Sequence, residues 1–244
     1  MIFKKEGITM SNETKKLCQF DITRISNSSW FKLRFCGKVI HLDPGFYGLF
    51  ENQDIPILEL KEKADFVFVS HNHKDHMRLE MIERIWKPET KIICPKVCQE
   101  ELPYPVMIVR SGDEFELESI SFKVVDAYNS VLGRSTRKFH EKGNFVGYLI
   151  KIDDFVLYFA GDTDVITEMT AFGNVDIALL PIGGTYVMDL EEAIEATKII
   201  QPSIVIPMHQ ALSDLIRFKT LIDTNTSSKA IILNNGESYY RYKE

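Results

Sequence analysis

Short apolar runs separated by turn residues recur along most of the chain, and they predict a protein built mainly on β-strands. Two of the runs, ADFVFV and DIALLP, are continuously apolar, which is typical of strands that are covered on both faces. The runs on either side of Asp153-Asp154 predict a β-hairpin. In chain order the predicted strands are residues 30–35, 39–42, 64–69, 91–94, 121–125, 145–152, 155–160, 176–180, 203–207 and 230–233.

Helical periodicity is less frequent, and it predicts helices over residues 77–86, 190–200 and 213–223. Asp189 is in the N-cap position of the second helix, and the two glutamates that follow suit the positive end of the helix dipole. No repeat or linker interrupts the pattern. We therefore expect one α/β domain over residues 1–244, with sheets inside and helices outside. Residues 1–17 are expected to form an N-terminal extension that is either poorly ordered or non-native.

The composition narrows the class of protein. The chain has 45% hydrophobic and 26% charged residues and a net charge of −6, and because an acidic surface repels phosphate we expect no nucleic-acid partner. It contains no apolar run long enough to cross a membrane and no apolar stretch typical of a signal peptide. We therefore expect no membrane partner, a cytoplasmic location and four reduced cysteines that are buried or inert. Homo-oligomer formation stays open.

A cluster of histidines follows the apolar run at 64–69. Three of the six histidines in the chain, His71, His73 and His76, fall within six residues, together with Asp75. In an extended segment His71 and His73 project to the same side, so both imidazoles can bind one metal ion. Asp75 and His76 follow where the chain turns toward the predicted helix, and they can bind a second, adjacent ion. The spacing predicts a metal site in preference to an ordinary polar loop.

The H-x-H-x-D-H string and four further segments resemble the metallo-β-lactamase superfamily, in the family's order from residue 30 to residue 210. These segments are HLDPGF, YFAGDTD, ALLPIGGTYVMD and VIPMHQ. The combination of GDTD, PIGGTY and PMH is similar to the branch of L-ascorbate-6-phosphate lactonase-like and N-acylphosphatidylethanolamine phospholipase D-like enzymes. The resemblance implies a four-layer αββα sandwich and a metal-dependent hydrolase that attacks its substrate with a metal-bound hydroxide.

The resemblance assigns two more metal ligands, Asp162 in the GDT segment and His209 after the last matching strand. Asp162 follows a sharp turn at Gly161, and its two oxygens can bridge two ions, although aspartate is also common in turns without metal. His209 taken alone would be better explained as a core histidine at a strand end, and it is expected to be a ligand because it belongs to the ordered set of segments. Asp75 would also orient the hydroxide and move a proton, or it would act as a ligand alone.

One family ligand is absent from its expected place. The family has a third histidine for the first ion at a strand end before the GDT hairpin, where this chain has Asn129. An amide offers zinc one neutral oxygen and is a weak ligand, so we expect Asn129 to contact substrate. His140 could fold back and complete the metal site, or it could lie in an exposed loop. Whether Asn129 or His140 completes the site stays open here. His41 is expected to be structural.

The implied cofactor is zinc, as two ions or one, and manganese or iron would also suit a mixed histidine and aspartate site. The implied substrate is a small polar molecule, either a lactone or a phosphodiester. Thr185 and Tyr186 would contact it, unless they serve only the turn after Gly183-Gly184. The basic segment 134–144 would form a lid over an anionic group, or only a solvated loop.

Two other functions compete with a hydrolase of small molecules. The first is an RNA-processing nuclease of the same superfamily, which the net negative charge disfavours. The second is a metal-binding sensor or interaction domain with little turnover, which Asn129 in place of a histidine favours. Measured metal content together with hydrolysis of simple esters separates these alternatives.

Overall fold

The computed structural model describes residues 20–48, 55–117 and 120–241, and the predicted extension at 1–17 lies outside them. Fourteen strands are described within these ranges. They are β1 Phe20–Arg24, β2 Phe31–Phe35, β3 Lys38–Leu42, β4 Phe66–Phe68, β5 Lys91–Pro95, β6 Val106–Val109, β7 Glu114–Leu117, β8 Ile120–Asp126, β9 Val146–Ile152, β10 Phe155–Phe159, β11 Ile177–Pro181, β12 Ile204–Met208, β13 Lys229–Ala230 and β14 Ser238–Arg241.

The strands form two mixed sheets. The first has the order β14-β1-β2-β3-β4-β5-β6, and the second has the order β13-β12-β11-β10-β9-β8-β7. In each sheet one side is antiparallel and the other, β3 to β6 or β10 to β13, is parallel. Side chains that leave the carboxyl ends of neighbouring parallel strands emerge at one edge of a sheet, which is a common place for a functional site.

Helices cover the outer face of each sheet. Three are described, α1 Leu79–Ile85, α2 Leu190–Ile200 and α3 Leu215–Asn225, with short 3-10 turns at Ile57–Leu60, Lys96–Glu101 and Thr167–Ala171. The buried face of α1 packs on the outer side of the first sheet, and the buried residues of α2 and α3 pack with the second sheet. This arrangement confirms the predicted four-layer αββα sandwich.

Strand β4 has a continuously apolar sequence because both of its faces are buried. Phe66 and Phe68 belong to the core between the two sheets, whereas Val67 lies in the smaller cluster under α1. The ring of Phe68 is 5.0 Å from those of Phe122 and Tyr148, edge to face in both cases. Since both faces of β4 are buried, the strand is held rigidly, and the histidine loop that follows starts from a fixed point.

The hairpin between β9 and β10 and the Asp189 N-cap, whose carboxylate accepts a hydrogen bond from the Glu192 amide, are confirmed. The predictions missed β1, β6, β7 and β14, and strand β13 is shorter than the predicted 230–233. Strand β1 was missed because charged residues interrupt its apolar pattern. These residues are buried nonetheless, since Asp21 pairs with Arg34 and Arg24 donates to backbone carbonyl groups.

The cysteines follow the prediction only in part. Cys94 and Cys98 are free and buried, as expected. Cys36 lies at an exposed turn outside the core and is disulfide-bonded, so the expectation of a reduced thiol is wrong for this residue. That expectation was linked to the predicted cytoplasmic location, which therefore stays a prediction. Within the described residues, none of the helices is both long and apolar enough to cross a bilayer.

Candidate metal centre

The loop after β4 brings its three histidines together. The backbone amide of His76 donates to the carbonyl of His73 at 2.9 Å, which closes a turn and places His76 beside His71, with ring centroids 4.0 Å apart. His71 and His76 are fully buried, Asp75 is nearly so, and His73 is half-buried. The loop therefore places two buried imidazoles, those of His71 and His76, next to the half-buried imidazole of His73.

Asp162 lies between these imidazoles. One of its oxygens, Oδ1, is 3.2 Å from Nε2 of His76, and the other, Oδ2, is 3.9 Å from Nε2 of His71. The turn that places it requires glycine, because Gly161 has a φ of 61° and an added Cβ would lie 2.8 Å from the carbonyl oxygen of Val146. The aspartate is thus positioned by the end of β10 and by a close backbone approach.

His209 arrives from the opposite side, at the end of β12. Its Nε2 is 3.1 Å from Oδ2 of Asp75 and 3.5 Å from Oδ2 of Asp162. The backbone at His209 has a φ of 44°, and its carbonyl oxygen leaves no room for a side chain at position 183, where Gly183 stands. The predicted ligand at this strand end therefore faces the same carboxylates as the histidine loop.

His140 completes the group. Its Nε2 is 3.3 Å from Oδ2 of Asp162, and its side chain is buried although it belongs to a long loop. Potential ligand atoms within 4.8 Å of one another form three sets among the described residues, which are His71, His73, His140 and Asp162, then Asp43, His71 and His76, and then Asp75, His76 and His209. Asp162 belongs to the first set, and its oxygens also lie 3.2 Å from His76 and 3.5 Å from His209, which belong to the third.

Asn129 lies behind His140. Its Oδ1 accepts hydrogen bonds from the backbone amides of Phe139 and His140, both at 2.8 Å, and is 3.1 Å from Nδ1 of His140. Its Nδ2 donates to the carbonyl of Tyr186 at 2.8 Å. Both polar atoms of Asn129 are therefore bonded to the protein, so the arrangement favours support of His140 over the expected contact with substrate.

Asp43 supports the other side of the cluster. Its Oδ2 is 2.6 Å from Nδ1 of His76, and its Oδ1 accepts from the backbone amide of Ser70. The hydroxyl of Ser70 donates to Asp43 and is 2.9 Å from Nδ1 of His71. A carboxylate bonded to one ring nitrogen fixes the orientation of the imidazole and leaves the other nitrogen facing the centre. The role of Asp43 was not predicted, although the HLDPGF segment was singled out.

The charges within the cluster balance one another. Burial lowers the pKa of the His71 imidazole well below its usual value, and the nearby His76 lowers it further. Burial alone would raise the pKa of the Asp162 carboxyl, but His209 and His76 together hold it well below its usual range. At neutral pH Asp162 is therefore ionised and His71 neutral, which are the forms that bind metal. Although burial opposes it, the neighbouring carboxylates raise the pKa of His76 and of His209, so these two imidazoles would each release a proton on binding metal.

Four buried ligand atoms of the cluster approach one another without forming a well-aligned hydrogen bond. They are Nε2 of His71, His76 and His140 and Oδ1 of Asp162. Buried polar atoms are normally paired, because an unpaired one loses its hydration without compensation. Cations bound between these four atoms would satisfy their unused lone pairs. The donor set therefore fits the metal ions that the sequence predicted.

Two cavities open beside the cluster, and Tyr47 and Tyr186 line both. The first, of about 330 Å³, also contains His73, Asp75, Arg137, Lys138, Phe139, His140 and Asp162. The second, of about 450 Å³, is bounded by His209 and by Asn27, Ser28, Gly183, Thr185, Val187, Gln210, Ala211 and Leu212. Thr185 and Tyr186 are thus at the walls of these cavities, whereas His41 lines neither of them and is fully buried, with its Nδ1 accepting a hydrogen bond from the indole of Trp30.

Known proteins share this fold and sequence pattern. The profile described as Beta-lactamase superfamily domain matches residues 21–209. A UPF0173 metal-dependent hydrolase of Thermoplasma acidophilum is 35% identical over 189 residues, 70% of this chain and 80% of that protein. A relative of the same description from Staphylothermus marinus is 30% identical over 187 residues, 72% of this chain and 78% of that protein.

Solved structures agree. One of them is Igni18, a metallo hydrolase from the archaeon Ignicoccus hospitalis, which superposes with a TM-score of 0.77 at 26% identity. The superposition covers 93% of this chain and 100% of that one. The family match, the fold and the buried cluster of ligand atoms lead to one conclusion. The chain belongs to the beta-lactamase superfamily and is a metal-dependent hydrolase of the metallo-β-lactamase fold.

Proposed function

We propose that the cluster binds two divalent metal ions and that the Asp162 carboxylate would be a ligand shared by both. The first ion would be held mainly by imidazoles, and the second by imidazoles and a further carboxylate. The ligands would be His71, His73 and His140 for the first ion, and Asp75, His76 and His209 for the second. The observation that carries this proposal is the convergence of four buried ligand atoms without well-aligned hydrogen bonds.

Zinc is the proposed metal, because imidazole-rich sites suit it, and manganese or iron would be accepted by the same donors. Two bound ions would supply a water that ionises near neutral pH and would polarise the oxygen of an ester. Asp75 lines the smaller cavity and is 3.1 Å from His209, so we assign it the orientation of the attacking water and the transfer of its proton.

The proposed substrate is a small polar ester, either a lactone or a phosphodiester, bound in the smaller cavity. Tyr186 would contact it, since this residue lines both cavities, and Thr185 would contact the part that extends into the larger one. The lactonase-like or phospholipase-like branch suggested by the GDTD, PIGGTY and PMH segments belongs to the same proposal. A cavity of about 330 Å³ is at the lower end of the usual range for small-molecule sites.

The test combines metal content with hydrolysis. Metal per chain is measured by mass spectrometry after saturation with zinc, and turnover is measured on bis(p-nitrophenyl) phosphate and on simple lactones. We expect two ions per chain in the wild type. Asp162→Asn keeps the shape of the side chain but removes its charge, so it should hold one ion at most and lose at least about 100-fold in kcat/KM.

Asp154→Asn is the matched control, because Asp154 lies at the exposed turn of the β9–β10 hairpin. It should keep both ions and full activity. Two ions per chain in Asp162→Asn would contradict the bridging assignment. Two ions in the wild type without turnover on either class of ester would favour the metal-binding sensor, and salt-sensitive cleavage of RNA would favour the nuclease.

A further inference from the structure

The loop over the smaller cavity carries four positively charged side chains, and carboxylates of the fold neutralise three of them. Nε of Arg134 is 2.7 Å from Asp189, Nζ of Lys138 is 2.8 Å from Asp164, and Lys142 pairs with Glu168. The loop is therefore not a uniformly basic lid, which was one of the two alternatives that the sequence left open for this segment. Most of its charge holds the loop to the protein and is not available for a ligand.

Arg137 is the exception. Among the residues that the structure describes, no carboxylate lies within ion-pair distance of its guanidinium. Instead, Nη1 donates to the hydroxyl of Tyr186 at 3.1 Å, and the guanidinium lies 5.8 Å from the centre of that ring. Arg137 is exposed, and it lines the cavity that also contains Asp75 and Asp162.

The backbone around Arg137 is fixed relative to the metal centre. The amide of Arg137 donates to the carbonyl of Thr185 at 2.8 Å, and the amide of Thr136 donates to that of Gly184 at 3.1 Å. Three residues later, His140 is held in the ligand cluster. The guanidinium therefore lies at a set position beside the reacting centre, and its remaining donors are free to bind a ligand.

We propose that Arg137 is a specificity-determining residue that binds an oxyanion, a carboxylate or phosphate, carried by the substrate away from the bond that is cleaved. This inference rests on the proposed hydrolase, and it narrows the substrate to an anionic ester. The planar guanidinium offers two parallel donors that match either oxyanion. In a chain with a net charge of −6, an unpaired cation at the cavity also attracts an anionic substrate.

Matched esters test the proposal. The p-nitrophenyl monoester of glutaric acid carries a distal carboxylate, its methyl ester is the neutral counterpart, and the p-nitrophenyl ester of phosphonopropanoic acid carries a distal phosphonate. We expect Arg137→Gln to raise KM for the preferred anionic ester by about 10- to 100-fold, with kcat and the neutral ester changed by less than about threefold. Arg137→Lys should restore part of the loss, and whichever anionic ester responds identifies carboxylate or phosphate.

Arg134→Gln is the control, because it removes a neighbouring arginine whose charge is already paired. It should leave the preference for anionic esters unchanged. Equal losses on the anionic and neutral esters in Arg137→Gln, or no preference in the wild type, would overturn the proposal.

A binding measurement separates this inference from the hydrolase itself. Glutarate and inorganic phosphate are titrated calorimetrically into the wild type and both variants at low ionic strength. Arg137→Gln should weaken binding of at least one anion about tenfold or more, whereas Arg134→Gln should not. This comparison decides the role of Arg137 even if no ester is hydrolysed, and equal dissociation constants in the three proteins would refute it.

Discussion

Asn129 offers a sharp test of how the metal centre is built. Asn129→Leu keeps the size of the side chain but removes the acceptor that faces Nδ1 of His140 and the backbone amides of Phe139 and His140. Loss of such a supporting partner typically costs about 10- to 100-fold in metal affinity. The carbonyl of Tyr186 is also 3.1 Å from Nδ1 of His140 and remains as a second acceptor. We therefore expect a loss nearer to about tenfold, or about 1.4 kcal/mol.

Folding stability should fall as well. The Phe139 amide is exposed and can bond to water instead, so only the half-buried His140 amide loses its partner, at a cost of about 1–3 kcal/mol in the free energy of unfolding. Metal affinity is measured by competition with a chromophoric chelator, and stability by denaturant titration. Asn144→Leu is the matched control, because it makes the same change at an exposed position of the same loop and should leave metal affinity and stability nearly unchanged.

Two results would refute this reasoning. If Asn129→Leu binds both ions with wild-type affinity while its stability falls, the orientation of His140 does not depend on Asn129. If His140→Ala leaves metal affinity and turnover unchanged, His140 is not a ligand, and its contact with Asp162 has only a structural role.

Two further predictions concern residues that are not themselves metal ligands. Burial lowers the pKa of His41 from 6.5 to about 3. Below pH 6.5 this imidazole is therefore protonated in the unfolded chain but stays neutral in the folded protein. Stability is therefore lost as pH falls, by about 2–3 kcal/mol between pH 6.5 and about 4.5, and urea titrations should show a shallower loss in His41→Gln. Gly45→Ala would place a Cβ 2.6 Å from the backbone of Asp75 and of His76. Calorimetry and metal analysis should show a lower Tm and loss of the second ion, and an unchanged ion count with native Tm would refute the packing argument.

Much of the fold and site could be predicted from local sequence. The continuous apolar run around β4 indicated a strand buried on both faces, and Phe66 and Phe68 confirm one of those faces. The spacing of His71 and His73 and the turn at Gly161 depend on neighbours within a few residues, so a short segment contains the information. Such features follow from backbone periodicity and from the restricted conformations of turns.

What only the tertiary structure decided involves partners far apart in the chain. Whether Asn129 or His140 faces Asp162 depends on a loop that folds back over the centre, and the amide oxygen of Asn129 determines that path by accepting the loop's own N–H groups. Strand β1 could not be identified because charged residues are expected at the surface unless their buried partners are known. In both cases a polar group is stable only in the presence of a distant partner, and sequence spacing carries no information about that partner.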